Sequence, residues 1–286
     1  MDLPIGVLTI YAALAAWVAV LLRGVKSGNY GPFLLFGITL MLVLNIRYFI
    51  EGSPAAIAFF ISIYDVLDNL GLDPSQGAAA LAACPDNACT VWGDRYTNHP
   101  SWGVAFHDRF LNGSQLRNTL LYTHLGLNGI VFVLMHIQLW KPGVGTHRSI
   151  HKMLGRVSFG CLTIATVCAV WLAAEHGDVG EYGGYLSMFG FWFMSFCVYG
   201  CAVMGIIKVS QGDIAAHRIW MIRFAGSMWG AFWIFRAMLL VTGPLMREWE
   251  AASLLTCIWL SAPLGIIIAE VFRRKAAQRE SMLLAH

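Results

Sequence analysis

The stretch PIGVLTIYAALAAWVAVLL, residues 4–22, carries no charged side chain and decides the class of fold. A helix needs roughly 20 mainly apolar residues to cross about 30 Å of hydrocarbon, and this stretch meets that length. It is longer than the apolar core of a signal peptide, and no basic residue precedes it. We therefore interpret it as a transmembrane helix.

The composition of the whole chain agrees with this interpretation. Of its 286 residues, 58% are hydrophobic and 12% are charged, whereas a soluble domain carries about 25% charged residues. The apolar stretches are long and continuous, which favours helices over a β-barrel, whose strands alternate within segments of about ten residues. No basic run lies outside the loop ends, so we expect a lipid bilayer, and no nucleic acid, as partner.

Similar apolar stretches recur along the chain and predict an all-α, polytopic transmembrane helix bundle. The last of them contains no lysine, which excludes a retinal Schiff base there. Segment 54–70 begins with apolar residues but carries Asp65 and Asp68, so we interpret it as an interfacial or re-entrant helix. The seven predicted spans are residues 4–22, 31–50, 118–140, 156–174, 185–207, 219–242 and 252–272.

These spans divide the chain into four parts. Residues 1–50 hold two N-terminal transmembrane helices, and residues 51–117 form an extracytoplasmic loop. Residues 118–242 hold a central bundle made of the third to sixth helices, and residues 243–286 hold the last helix and a basic tail. The chemistry is therefore expected in the central bundle, where helices can bring side chains together.

The distribution of Lys and Arg sets the predicted orientation, because short cytoplasmic loops are enriched in these residues. With seven spans, thirteen of the nineteen fall on one side of the membrane, which predicts an N-terminus outside and a C-terminus in the cytoplasm. The thirteen are Arg23, Lys26, Lys141, Arg148, Lys152, Arg156, Lys208, Arg218, Arg223, Arg273, Arg274, Lys275 and Arg279.

The loop at 51–117 carries two features that agree with this orientation. Cys84 and Cys89, in ACPDNAC, suit a disulfide-closed turn, which an oxidising compartment allows. Asn112 begins the sequence Asn-Gly-Ser, an acceptor for N-glycosylation. The other five cysteines lie within predicted spans, where we interpret them as small packing residues.

Ionisable side chains in the spans are the candidates for function, because burying a charge at mid-bilayer costs on the order of 3 kcal/mol on insertion scales. The third predicted span carries His124 and His136, and the sixth carries Arg236. His151 and His217 directly precede the fourth and sixth predicted spans. Depth then groups His136, His151 and His217 at one membrane level, and His124 with Arg236 at the other.

Three histidines at one level suit two kinds of cofactor. Two imidazoles on facing helices can hold the iron of a b-type haem, and three can hold Zn²⁺ with an open fourth position. Arg156 follows His151 by five residues and could receive a haem propionate or a lipid phosphate. The alternative is that these histidines only satisfy loop carbonyls, and that Arg236 only extends toward the membrane surface.

Three stretches of the chain resemble one family. They are THLGLNGIVFVLMHIQLW (123–140), HKMLGRVSF (151–159) and HRIWMIRFAGSMWGAFWIFR (217–236). Their order and spacing resemble the membrane proteins catalogued as DUF2306, a domain of unknown function, over about residues 118–242. Lys152 stands where the family more often has arginine, and His136 does not belong to the pattern. The residues that match it are His124, Gln138, His151, Gly155, Arg156, His217, Arg218, Trp220, Met221, Arg223 and Arg236.

The resemblance implies a histidine-bearing helical bundle, loosely similar to b-type cytochromes and ferric reductases. The lead hypothesis is a membrane protein that binds haem b and takes part in transmembrane electron transfer with a redox partner. Its candidate ligands and anion partners are His124, His151, His217, Arg156, Arg223 and Arg236.

Two alternative functions stay open. One is a non-enzymatic subunit or assembly factor of a larger membrane complex. The other is an intramembrane metal-dependent hydrolase, with zinc on His136, His151 and His217. The hydrolase would need a carboxylate as base, and at this level the sequence offers Asp213 and little else.

Overall fold

A computed structural model of the chain describes residues 5–28, 31–51, 114–140, 148–175, 184–245 and 250–284. The predictions for segment 54–70, for Cys84 with Cys89 and for Asn112 lie outside the described residues. Every element in the described ranges is a helix. In chain order they are α1 (Ile5–Ser27), α2 (Gly31–Glu51), α3 (Gln115–Trp140), α4 (Arg148–Ala174), α5 (Gly184–Ser210), α6 (Ile214–Trp229), a π-helical segment (Gly230–Ile234), α7 (Phe235–Leu245) and α8 (Glu250–Leu284).

This order confirms the predicted all-α polytopic membrane protein. Since α6, the π-helical segment and α7 run on without a break, the described ranges hold seven helical runs at the seven predicted spans. Four helices are long and apolar enough to cross a membrane by length and composition: Gln115–Leu139, Arg148–Ala174, Gly184–Ser210 and Ala252–Gln278. The orientation of the termini stays a prediction.

Two helices begin earlier than their apolar stretches do. Helix α4 begins at Arg148 and α6 at Ile214, so His151 and His217 lie in the first turns of helices, not before them. The first turns of these two helices are polar and were not predicted, because hydropathy identifies only the part of a helix that lies in hydrocarbon. This difference matters for the site, since a helix fixes the direction of a side chain better than a loop does.

The helices form an antiparallel bundle in which neighbours in sequence are mostly neighbours in space. Helix α3 packs along α4, α4 along α5, and α5 along α6, while α2 covers α3 and α1 covers α2. At one end, Arg117 of α3 forms an ion pair with Glu175, directly after α4. Helix α8 packs along both α5 and α6, so it joins the four central helices that the sequence predicted.

Helices α6 and α8 approach each other closely through small residues. A Cβ atom built on Gly226 or Gly230 would lie closer than 3.0 Å to backbone atoms of α8, a separation that real Cβ atoms essentially never show. A Cβ atom on Gly265 would meet the backbone of α6 in the same way. In a bilayer the hydrophobic effect does not drive helices together, because lipid tails are as apolar as the side chains. Helix association therefore depends on van der Waals packing, and small residues increase it by letting the backbones approach closely.

The turn between α5 and α6 sets where α6 begins. Gly212 has a φ of 80°, which favours glycine, and Asp213 follows as the N-cap of α6. The Asp213 carboxylate accepts a hydrogen bond of 2.9 Å from the backbone N–H of Ala216. His217 lies one residue further along, so this cap also positions the histidine.

Replacing the cap should therefore lower stability modestly. Asp213→Ala is expected to reduce the free energy of unfolding by about 1 kcal/mol, because an N–H of the first turn loses its acceptor. Asp213→Asn keeps an acceptor oxygen and should unfold at nearly the wild-type temperature. The comparison is made by thermal unfolding of the detergent-solubilised proteins; equal losses in the two variants would contradict a capping role.

Candidate functional site

His217 is held in one orientation by the neighbouring helix. Its Nδ1–H donates a 2.8 Å hydrogen bond to the backbone carbonyl of Gly205, near the end of α5. Because a carbonyl can only accept, the Nδ1 atom carries a proton, and in the neutral imidazole Nε2 then has the lone pair that can bind a ligand. Gly205 is buried, and the Met221 sulfur lies where a side chain on this residue would be. The close contact between α5 and α6 thus fixes the imidazole.

His151 is the neighbour of His217 across the end of the bundle. It lies in the first turn of α4 and is half-buried, as His217 is. The two imidazoles lie near enough to interact electrostatically. The structure therefore brings together two of the predicted haem ligands, from two different helices and at one level.

His136 does not join this pair. It is fully buried, and its Nδ1–H donates a 2.6 Å hydrogen bond to the Phe132 carbonyl. Its Nε2 accepts a 2.9 Å hydrogen bond from the indole N–H of Trp229. Both ring nitrogens are thus engaged inside the bundle, and His136 could bind a metal only after losing the bond to Trp229.

A second polar group lies at the other predicted level. The Nδ1–H of His124 donates a 2.9 Å hydrogen bond to the carbonyl of Ala165 in α4, and the Asn128 amide lies 3.3 Å from Nε2. Arg236 interacts electrostatically with His124 and donates to the Phe232 carbonyl at 2.8 Å. His124 and Arg236 therefore share a level, as predicted, but that level is not the level of His151 and His217.

The arginines predicted to bind anions lie in different surroundings. Arg156 is exposed on α4, two turns from the start of the helix that carries His151. Arg223 points toward α8, where its Nε lies 3.5 Å from the Glu270 carboxylate. Arg156 shares its helix with His151, and among the described residues no ion pair of Arg156 with a carboxylate is found.

The zinc site has less support than the histidine pair. Within the part of the chain that the structure describes, no group of three or more His, Cys, Asp or Glu side chains could hold a metal ion. The Asp213 carboxylate, the candidate base of a hydrolase, caps α6. The three-histidine site stays a prediction. Of its three imidazoles, those of His151 and His217 lie near each other in the structure.

The structure also reveals two contacts that the sequence could not indicate. The ion pair between Arg223 and Glu270 joins residues on two helices far apart in the chain, whereas Glu270 also pairs with Arg273 and Arg274 within its own helix. The bond between His136 and Trp229 is equally remote in sequence. No local pattern identifies such partners; only covariation between homologous sequences could have done so.

The fold and the site together define a polytopic α-helical integral membrane protein with two histidines at one end of its bundle that interact electrostatically. The chain belongs to the DUF2306 family: the family model described as "Predicted membrane protein (DUF2306)" matches residues 121–272. This match confirms the resemblance and extends it past 242 to include the membrane part of α8. No curated protein and no solved structure matches the chain significantly.

Proposed function

We propose that this protein binds haem b between His151 and His217 and carries electrons within the membrane. The observation that supports this most strongly is the state of His217. Its Nδ1–H is held by the Gly205 carbonyl, its Nε2 has no hydrogen-bond partner among the described residues, and the His151 imidazole is near enough to interact with it electrostatically. Ligating histidines commonly donate their other ring N–H to a backbone carbonyl, which fixes the tautomer and raises the basicity of the ligand.

The surrounding residues fit such a group chemically. The axial ligands of a b-type haem are neutral imidazoles, and both histidines are half-buried in the first turns of their helices. Exposed Arg156 would offset propionate charge from the same helix as His151. When bound, haem would supply a one-electron carrier; the chain would orient the ligands and set the polarity around it.

The test is a reduced-minus-oxidised absorbance spectrum of protein purified in detergent from haem-replete cells, with a pyridine haemochrome assay for stoichiometry. The wild type should show a sharp α-band. His151→Ala and His217→Ala should each lose it, because a six-coordinate low-spin haem needs both imidazoles. His124→Ala is the matched control and should keep the band, since His124 lies at the other level.

Three outcomes would contradict the proposal. A colourless wild-type protein would remove haem and favour a non-enzymatic subunit of a membrane complex. Loss of the band in His124→Ala, with retention in His151→Ala, would move the ligands to the other level. Metal analysis that finds stoichiometric zinc, lost in His217→Ala, would favour the metal-dependent hydrolase.

A further inference from the structure

One carboxylate meets three guanidinium groups where α6 and α8 reach the end of the bundle. Arg273 binds both oxygens of Glu270, with bonds of 3.1 and 2.6 Å. Arg274 approaches one oxygen at 3.1 Å, and Arg223 reaches across from α6 to the other at 3.5 Å. We call this group of four residues the arginine cluster.

The arginine cluster carries more positive charge than its carboxylate can neutralise. Three arginines and one glutamate leave a formal charge of two positive units. Each guanidinium has five N–H donors, and two carboxylate oxygens cannot accept from all fifteen. Arg274 is 70% exposed and Arg223 is 30% exposed, so donors on both sides of Glu270 reach the surface. The cluster can therefore accept a further anion.

The position of the arginine cluster specifies what kind of anion. Arg273 and Arg274 lie near the end of the apolar part of α8, Ala252–Gln278, where a helix leaves the hydrocarbon. Directly before them, Ile267, Ile268 and Val271 are exposed large apolar side chains. A ligand that lies against this face would thus contact apolar surface and then guanidinium groups, in the order in which a phospholipid presents acyl chains and phosphate.

The side chain of Arg223 is oriented by a neighbouring aromatic ring in a way that suits contact with a phosphate. Its guanidinium lies 4.7 Å from the centre of the Trp220 ring, a cation–π arrangement that limits its movement. Guanidinium groups also bind phosphate oxygens in pairs, which gives geometric fit in addition to charge. The predicted orientation would place this end at the cytoplasmic leaflet, where anionic lipids concentrate.

We propose that the arginine cluster and the adjoining apolar face of α8 bind the headgroup of an anionic phospholipid between α6 and α8. The proposal does not depend on haem. A purely structural role for the four residues makes a different prediction, because in that case Glu270 would be the only anion that the arginines need.

The experiment is native mass spectrometry of the full chain in detergent, titrated with phosphatidylglycerol or, separately, with phosphatidylcholine. The wild type should retain phosphatidylglycerol preferentially. Arg223→Gln should weaken its apparent affinity about fivefold, the effect of one basic residue near a membrane surface. Lys26→Gln is the matched control: it removes the same charge from the exposed last turn of α1 and should change the affinity little.

A second variant separates lipid binding from a structural role. Glu270→Gln frees the arginines from their carboxylate, so phosphatidylglycerol should bind about fivefold more tightly, and its addition should recover thermal stability that the variant loses. A structural cluster would give lower stability with no gain in affinity. This readout stays informative even if Arg223→Gln fails to fold.

Three results would overturn the proposal. The wild type could bind the two lipids equally well. Arg223→Gln and Lys26→Gln could weaken binding to the same extent, which would indicate general electrostatic attraction. Millimolar inorganic phosphate could displace phosphatidylglycerol completely, which would assign the cluster to a soluble anion, because a lipid that also contacts Ile267 and Val271 should resist that competition.

Discussion

A Gly265→Leu variant is expected to fail to fold, because α6 and α8 meet backbone to backbone at this residue. A Cβ atom on Gly265 would lie less than 3.0 Å from the Gly226 carbonyl and from the Cα atom of Gly230. Backbone atoms cannot rotate away as a flexible side chain can, so the helices would have to separate. Fluorescence-detected size-exclusion chromatography should show aggregate in place of a single symmetric peak.

A graded variant gives the magnitude of this effect. Gly265→Ala adds only the Cβ atom and not the three further carbons of leucine, so the helices need to separate less. This variant should fold but lose about 1–3 kcal/mol of unfolding free energy, the usual cost of overpacking a tight contact. Alanine is itself a better helix former than glycine by about 1 kcal/mol, so any net loss reports the contact and not the helix propensity. The net loss of stability is measured as the change in the midpoint of thermal unfolding in detergent.

Gly160 provides the matched control. It lies on α4 and is exposed, and in the described part of the chain no atom outside its own helix backbone lies within 4 Å of the position that a Cβ would occupy. Gly160→Ala and Gly160→Leu should therefore leave the peak and the unfolding midpoint unchanged or slightly improved. If Gly265→Leu behaved like Gly160→Leu, the close packing of α6 against α8 would be wrong.

The positions of the helices could be predicted from the sequence, but which helices pack against each other could not. The interface at Gly265 shows the reason. Length and hydropathy identify spans because the bilayer imposes both on every helix that crosses it. Gly226 and Gly230 stand four residues apart, as do Ser261 and Gly265, and that spacing marks two surfaces suited to close packing. The spacing does not say which surface meets which. Only the three-dimensional structure pairs α6 with α8.

The histidines show the same division. Their depth could be predicted, because counting residues along a helix gives height, and His151 and His217 do lie at one level. Their environment could not be predicted, because it depends on neighbours remote in sequence. Among the described residues, His217 has a hydrogen-bond partner only at Nδ1, the Gly205 carbonyl, whereas His136 has partners at both ring nitrogens, one of them the Trp229 indole. The predicted group of three therefore divides into a candidate ligand pair and a buried core residue.

The contact between His136 and Trp229 should be one of the strongest polar interactions in the bundle. Both side chains are buried, and among the described residues each is the other's only hydrogen-bond partner at that atom, so replacing one leaves the other unpaired there. His136→Leu leaves the indole N–H without an acceptor, and Trp229→Phe leaves Nε2 of His136 without a donor. In each single variant the free energy of unfolding should fall by about 1–3 kcal/mol because of the unpaired group, in addition to any loss from packing.

A double-mutant cycle isolates that interaction from the packing around it. Trp229 also stacks on Trp17 and Phe33, at 5.7 and 4.7 Å between ring centres, and the cycle cancels that loss because it occurs with and without the histidine. The variant carrying both His136→Leu and Trp229→Phe should be more stable than the sum of the two single losses predicts, since no polar group is left unpaired.

Metal analysis of the same proteins distinguishes this structural role from zinc binding. If His136 were a ligand, His136→Leu would lose bound zinc while Trp229→Phe would keep it, and the two stability losses would simply add. If His136 is a core residue, zinc content is the same in all four proteins and the coupling free energy is about 0.5–3 kcal/mol. Additive losses accompanied by an unchanged metal content would show instead that the bond between the two rings contributes little to stability, despite its burial.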